Sequence, residues 1–459
     1  MKARFPLLLL VILPFSLPAA PDGQLGEAPP NFIIFVADDM GWNDNGPYGN
    51  AGIRTPSMDR LAREGLTFNR ALLTTSSCSP SRASILTGRY PHNTGAPELH
   101  MPVPADQVLL SSLLREAGYY TASAGKWHLG DEVRDQFDRI LQGGGPSGCE
   151  KWVEALRDRP RDKPFFLWLA AFDPHRDYAE DTIPEPHSPE DVFVPPFLPD
   201  APEVRADLAR YYDEITRFDS HVGQVLEELE RQGVAGNTLV LLISDNGRPF
   251  PRCKTRLLDS GIRTPLIARW PGGGIPRGRR SDALVSSIDI APTILELAGM
   301  ADQPDFQGSS FARTLKDPQI PAREFAFAEH NWHDYMAFER AASNRRFTYI
   351  RNWRPDLPAT PPADAVRSPT YQLMLDLERR RELTPDQCDT FMLPRPGEEL
   401  YDNVADPYSL HNLAEDPRYA GELKVLRGVL DDWTEETGDL LPGMLTKDRF
   451  DRTTGEALP

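Results

Sequence analysis

Phe32-Ile33-Ile34-Phe35-Val36-Ala37-Asp38-Asp39 is the stretch that decides the fold. Its first six residues are apolar, mix β-branched with aromatic side chains, and stop at two carboxylates. A short continuous apolar run of this kind reads as a strand buried on both faces. The same pattern recurs three times. Tyr119–Ala124 runs into Lys126-Trp127-His128, Phe165–Phe172 into Asp173-Pro174-His175, and Leu239–Ile243 into Asp245-Asn246-Gly247. Helical patterns over Pro56–Glu64, Leu109–Ala117 and Asp207–Gln232 lie between the runs. Alternating strands and helices predict an α/β fold, a large mostly parallel sheet sandwiched by helices. Ligands of such sheets bind beyond the carboxyl ends of the strands. All four polar clusters fall there, so they are expected to converge on one site.

After about residue 330 the pattern changes. Phe347–Arg351 and Glu398–Tyr401 read as short strands and Ala420–Thr437 as an amphipathic helix, which predicts a smaller C-terminal α+β domain. The expected division is a leader over residues 1–20, a catalytic domain over 21–335 and the smaller domain over 336–459. Gly143–Gly148 and the proline- and acid-rich Arg176–Pro202 read as loops, the second a long excursion near the site.

The leader has Lys2 and Arg4, then the apolar run Leu7–Leu17, then Pro18-Ala19-Ala20. That order is a signal peptide with its cleavage site, and the run is short for a membrane span. The expectation is an exported protein with no span after cleavage. A formal charge of −18 argues against a nucleic-acid partner, because phosphate binding wants a basic surface. It leaves room for a small anionic substrate in a locally positive pocket. Four cysteines in 459 residues are no disulfide framework. If Cys78 is chemically special, Cys149, Cys253 and Cys388 allow at most one internal bridge.

Cys78-Ser79-Pro80-Ser81-Arg82 leads into a helical pattern beginning near Pro80. A nucleophile at a helix N-terminus faces free N–H groups and a positive dipole end, which favour anions. Asp38-Asp39 and Asp245-Asn246 are hard oxygen ligands at two strand ends, a set that selects calcium or magnesium over zinc or copper.

These segments carry a resemblance. Cys78–Arg89 (C-S-P-S-R-A-S-I-L-T-G-R), Gly125–Gly130 (G-K-W-H-L-G) and Gly261–Pro265 (G-I-R-T-P) resemble the type I sulfatases of the alkaline phosphatase-like superfamily, over essentially the whole mature chain. The resemblance implies that Cys78 is oxidised to formylglycine by a maturation enzyme. It implies one Ca²⁺ held by Asp38, Asp39, Asp245 and Asn246, joined by the modified Cys78. Lys126 and Lys254 would bind sulfate oxygens and Arg82 would neutralise charge. His128 would contact the formylglycine hydrate, and His175, in F-D-P-H-R, would act as general acid, a role that suits an imidazole.

Within the family, Asp173–Arg176, Ser244–Pro251 and Ser368–Tyr371 are similar to the N-sulfoglucosamine sulfohydrolase branch and its bacterial relatives. Lys254 with Gly261–Pro265 departs from that sulfamidase. The implied activity is hydrolysis of a sulfate ester or sulfamate on a sulfated carbohydrate. The alternatives are an O-sulfatase on another polysaccharide, a phosphatase or phosphonate monoester hydrolase of the same superfamily, and a non-catalytic glycan-binding protein. Arg176, His330 and His333 are candidates for a sugar subsite, the two histidines lying in an expected loop, Glu329–Asp334.

Overall fold

The computed structural model describes residues 28–180, 182–300 and 305–459, so the expected leader lies outside the described residues. Among the described residues twelve strands form two sheets. They are β1 (Asn31–Ala37), β2 (Leu66–Leu72), β3 (Tyr120–Gly125), β4 (Arg139–Gln142), β5 (Phe165–Ala170), β6 (Thr238–Ser244), β7 (Arg263–Arg269), β8 (Arg279–Ser286), β9 (Ala326–His333), β10 (Tyr335–Ser343), β11 (Phe347–Asn352) and β12 (Glu398–Asp402). The large sheet runs β4-β3-β5-β1-β6-β7-β2-β8, and the small one β12-β11-β10-β9. In the large sheet only β7 runs antiparallel to its neighbours, β6 and β2. The small sheet is antiparallel throughout.

The four apolar runs became β1, β3, β5 and β6, which are neighbours at the centre of the large sheet. Every residue of β1, β5 and β6 is buried. The alternating side chains of these strands feed two cores, one on each face. Phe32, Ile34 and Val36 belong to one, and Ile33, Phe35 and Ala37 to the other. The second core is closed by the 30-residue helix Pro202–Arg231, whose start is one turn before the sequence expectation because Pro202 sits comfortably in a first turn. Residues 176–180 and 182–201 form neither helix nor strand, as expected.

Register sets the height of the site. Val36 pairs with Ala170, Ala37 with Ser244, and Gly125 with Ala170. Asp38, Lys126 and Asp245 therefore leave their strands at one level. Gly125 is required there: its φ is +101°, and a Cβ would lie 1.8 Å from the Ala170 carbonyl oxygen.

Glu329–His333, expected as loop, is part of β9. Its Glu329, Asn331 and His333 side chains find interior partners, so the strand lacks an apolar signature. Glu329 meets the His92 ring Nδ1 at 2.9 Å and receives the Asn331 amide at 3.0 Å. The expected border after residue 335 falls one residue inside β10, which pairs with β9 in the small sheet.

Gly125→Ala is expected to lose about 2–4 kcal/mol of stability in urea unfolding, from a forbidden φ plus backbone overlap. Gly118→Ala, at φ +92° but with open space around its Cβ, should lose only about 1 kcal/mol.

Candidate active site

Three carboxylates and a thiol crowd beyond the strand ends. Asp38, Asp39, Cys78 and Asp245 each offer an atom within 4.8 Å of the others, and all four residues are buried. Asp38 and Asp39 follow β1 and Asp245 follows β6. Asp39 adopts φ +78°, a left-handed turn that aspartate tolerates better than most residues. Its backbone is pinned by its own N–H donating to Asp245 Oδ1 at 3.2 Å and by Tyr211, whose hydroxyl donates to its carbonyl at 3.0 Å.

Cys78 opens the helix Cys78–Thr87, two residues earlier than the sequence suggested, and every residue of that helix is buried. Cys78 Sγ lies 3.8 Å from Asp39 Oδ1. Burial pushes the thiol well above its ordinary value, and the pull of Lys254 does not offset it. An unmodified Cys78 is thus a poor thiolate nucleophile.

Three cations answer the three acids. Arg82, on the same helix, donates through Nε to Asp245 Oδ2 at 2.8 Å and holds Nη2 3.7 Å from Asp38 Oδ1. Lys126 bonds Asp38, and Lys254 Nζ donates to Asp39 Oδ2 at 2.7 Å. The pKa directions follow. Burial alone would raise Asp38, but Lys126, His175, Arg82 and Lys254 together hold it well below the usual carboxylate range. Burial and repulsion from Asp38 push Asp245 up to about 7.

Lys254 comes from the loop between β6 and β7. That loop is tied to the Cys78 segment: Thr255 N–H donates to the Ser76 carbonyl at 3.0 Å, and Ser76 Oγ donates to the Gly261 carbonyl at 3.0 Å. A Cβ at Gly261 would stand 2.1 Å from the Arg256 carbonyl oxygen, so the contact demands glycine. Arg263 of the same motif stays outside the site, with its guanidinium 3.6 Å over the Trp42 ring.

Two buried oxygens, Asp38 Oδ1 and Asn246 Oδ1, accept no hydrogen bond within the described residues. Unused hard oxygens beside crowded carboxylates are the donor set of a divalent cation such as Ca²⁺. The residues present fit one.

His175 approaches from β5. Its Nδ1 bonds the Arg176 carbonyl, which leaves Nε2 facing the site, 4.0 Å from Asp39 and 3.7 Å from Asp364. His128 lies beyond β3 with Nε2 2.8 Å from His100 Nδ1. Burial first, then Lys126 and Arg82, hold the His128 imidazole well below its ordinary value, so it is neutral near pH 7.

The sulfatase family model matches residues 30–147 and 149–300, which takes in this constellation except Asp364. The chain belongs to the sulfatase family. It is accordingly a hydrolase of sulfuric esters or sulfamates. A second model, N-sulphoglucosamine sulphohydrolase, C-terminal, matches residues 253–354. Human N-sulphoglucosamine sulphohydrolase is 35% identical over 464 residues, covering 91% of this sulfatase and 92% of the human protein. An ulvan-active sulfatase of Formosa agariphila is 31% identical, covering 89% and 75%. A solved protein in complex with its substrate D-glucosamine-2-N,6-O-disulfate shares the fold at TM-score 0.68 and 22% identity, over 90% of this chain and 99% of that one.

The three candidates for a sugar subsite line two clefts, Arg176 one and His330 with His333 another. The Arg176 guanidinium grips Asp207 with two bonds, of 2.8 and 2.7 Å, and is packed 4.6 Å from both the Tyr178 and Phe250 rings. It braces the loop after His175 and borders the cleft beside Asp364. His333 is buried with Nδ1 2.7 Å from Ser77 Oγ, next to Cys78, so it holds the nucleophile segment. His330 is buried and neither ring nitrogen has a partner among the described residues. His100 and Asp364 stand at the site without having been singled out in the sequence. The four cysteines are unpaired.

Burial pushes His330 down to about 4 from its ordinary 6.5. In the unfolded chain it takes up a proton near 6.5, so between that pH and about 4 the unfolded state binds the extra proton. Stability therefore falls as pH drops through this window, by about 3 kcal/mol at its lower end. His330→Gln should flatten that part of the pH dependence in urea unfolding.

Proposed function

We propose that this sulfatase removes sulfate, as ester or sulfamate, from sulfated carbohydrates, using Ca²⁺ bound by Asp38, Asp39, Asp245 and Asn246 and a formylglycine made from Cys78. The observation that carries the reading is the buried cluster of three carboxylates, three cations and Cys78 at neighbouring strand ends. Acids and bases there balance, so a divalent cation would make the site net positive and ready for an anion.

Formylglycine and Ca²⁺, when present, supply a hydrated aldehyde nucleophile and a Lewis acid for a sulfate oxygen. The chain's own residues do the rest. Lys126 and Lys254 bring positive charge toward the transferring group, while Arg82, fully buried, fixes Asp245 beside it. The first turn of the Cys78 helix adds backbone N–H groups. Neutral His128 is able to take a proton from the nucleophile side, and His175 Nε2 is placed to give one to the leaving atom. A maturation enzyme that oxidises Cys78 is the implied partner.

The relatives named for N-sulphoglucosamine and for ulvan suggest acidic, sulfated polysaccharides as the substrate class. Export fits such a substrate, and the basic-then-apolar residues 1–20 support it. Among the described residues no helix is long and apolar enough to cross a membrane.

Active protein should turn over an aryl sulfate far faster than the matching aryl phosphate, and release sulfate from members of a sulfated mono- and disaccharide panel. Dominant phosphatase turnover would sink the reading. Mass spectrometry of the peptide spanning Cys78 should show an aldehyde, and Cys78→Ala should lose about 10³-fold or more of kcat. Ca²⁺ at about 100 times its Kd should add about 2.7 kcal/mol of stability. Asp39→Asn should largely abolish that gain, and an unchanged Tm on adding or chelating Ca²⁺ would refute the metal assignment.

A further inference from the structure

We infer that Asp364 reads the leaving atom and biases this sulfatase toward substrates whose leaving group departs as an amine, that is, toward sulfamates. The inference rests on the sulfatase reading and names the substrate class of the same site.

Asp364 comes from the second half of the chain, in the short helix Ala363–Val366, and reaches across to the catalytic sheet. Its Oδ1 accepts the Ala365 N–H at 2.7 Å. Its Oδ2 is buried, has no hydrogen-bond partner among the described residues, and points to His175 Nε2 at 3.7 Å. That separation is too long for a hydrogen bond and leaves room for a shared third atom. Asp39, His175 and Asp364 offer atoms that all lie within 4.8 Å of one another. The atom next to His175 Nε2 is the one that receives its proton, so the spare Asp364 oxygen faces the leaving atom. On its other side Asp364 borders a surface cleft with Arg176, Tyr178, Arg210 and Arg367.

The chemistry distinguishes the two substrate types. In sulfamate hydrolysis the S–N bond breaks, a water oxygen joins sulfur, and both water protons end on nitrogen. A sulfamate monoanion becomes sulfate dianion and an ammonium group. In ester hydrolysis the S–O bond breaks, the sugar oxygen keeps one proton as a neutral hydroxyl, and the other proton is released to solvent. His175 supplies the first proton in either case. Only the nitrogen goes on to become cationic and keeps N–H groups to donate. The sulfamate nitrogen carries an N–H besides the proton that comes from His175, and that N–H can donate to the Asp364 carboxylate throughout bond breaking, whereas an ester oxygen has no second hydrogen and turns a lone pair toward it. Asp364 is thus a specificity-determining residue, and the preference is for N-sulfated amino sugars.

The test is the ratio of kcat/KM on N-sulfoglucosamine to kcat/KM on an O-sulfated sugar, whose alcohol leaving group needs the His175 proton as the amine does, measured for the wild type, Asp364→Asn and Asp364→Ala, each with Cys78 modification verified. The ratio should fall about 10- to 100-fold in both variants, since a hydrogen bond to a charged group is worth that much. A variant that misfolds or merely displaces His175 lowers both activities together and leaves the ratio unchanged; an unchanged ratio overturns the inference. A wild type that cleaves the O-sulfated sugar but not N-sulfoglucosamine also overturns it, and leaves the sulfatase reading standing. Turnover of neither substrate by fully modified protein overturns both.

Discussion

The structure is organised around a local electrostatic problem. Asp38, Asp39 and Asp245 bring oxygens within 4.8 Å of one another in a buried setting. Two such charges repel by about 3.5 kcal/mol at an effective dielectric of about 20. Three cations hold them together, and each is delivered by a different piece of chain. Arg82 comes on the Cys78 helix, Lys126 on the end of β3, and Lys254 on the loop after β6. Removing one leaves a buried charge without its counter-charge, which costs more than the pair itself contributes. The site and the central sheet therefore stand or fall together.

Strand register is what makes that arrangement possible. Four parallel strands in fixed register end at one level, and side chains just beyond them can meet without long excursions. The remaining contributors are brought in by loops that cannot move independently. The Cys78 and Lys254 segments are bonded to each other through Ser76, Thr255 and Gly261, and the Asp39 turn is bonded to Tyr211 on the long helix. The small sheet adds His333 and Trp332 against the Cys78 segment.

The central half of the large sheet was legible because parallel strands buried on both faces are written as unbroken apolar runs. β2 (L-T-F-N-R-A-L) and β8 (R-R-S-D-A-L-V-S) were not, because polar side chains interrupt them toward the sheet edge. β9 carries no strand signature because its Glu329, Asn331 and His333 side chains are satisfied inside the protein, by His92, by Glu329 and by Ser77, and His330 is buried with them. The same distinction governs the site. Cys78, Arg82, Lys126, His128, His175, Lys254 and the acidic pairs sit in strand-end or helix-start motifs. His100 and Asp364 sit in segments with no period, and nothing local marks them. Arg176 looked available because it follows His175, but its partner, Asp207, lies 31 residues away on a helix.

Cys78 is 1% exposed. No second enzyme can grip a side chain walled in by its own helix, by Trp332 and Leu99, and by two bonded loops. The oxidation proposed for Cys78 therefore belongs to the chain before it closes. Its timing is set by the race between the maturation enzyme and folding. A host that folds the protein quickly but oxidises it slowly would accumulate a stable, well-packed and permanently inert product.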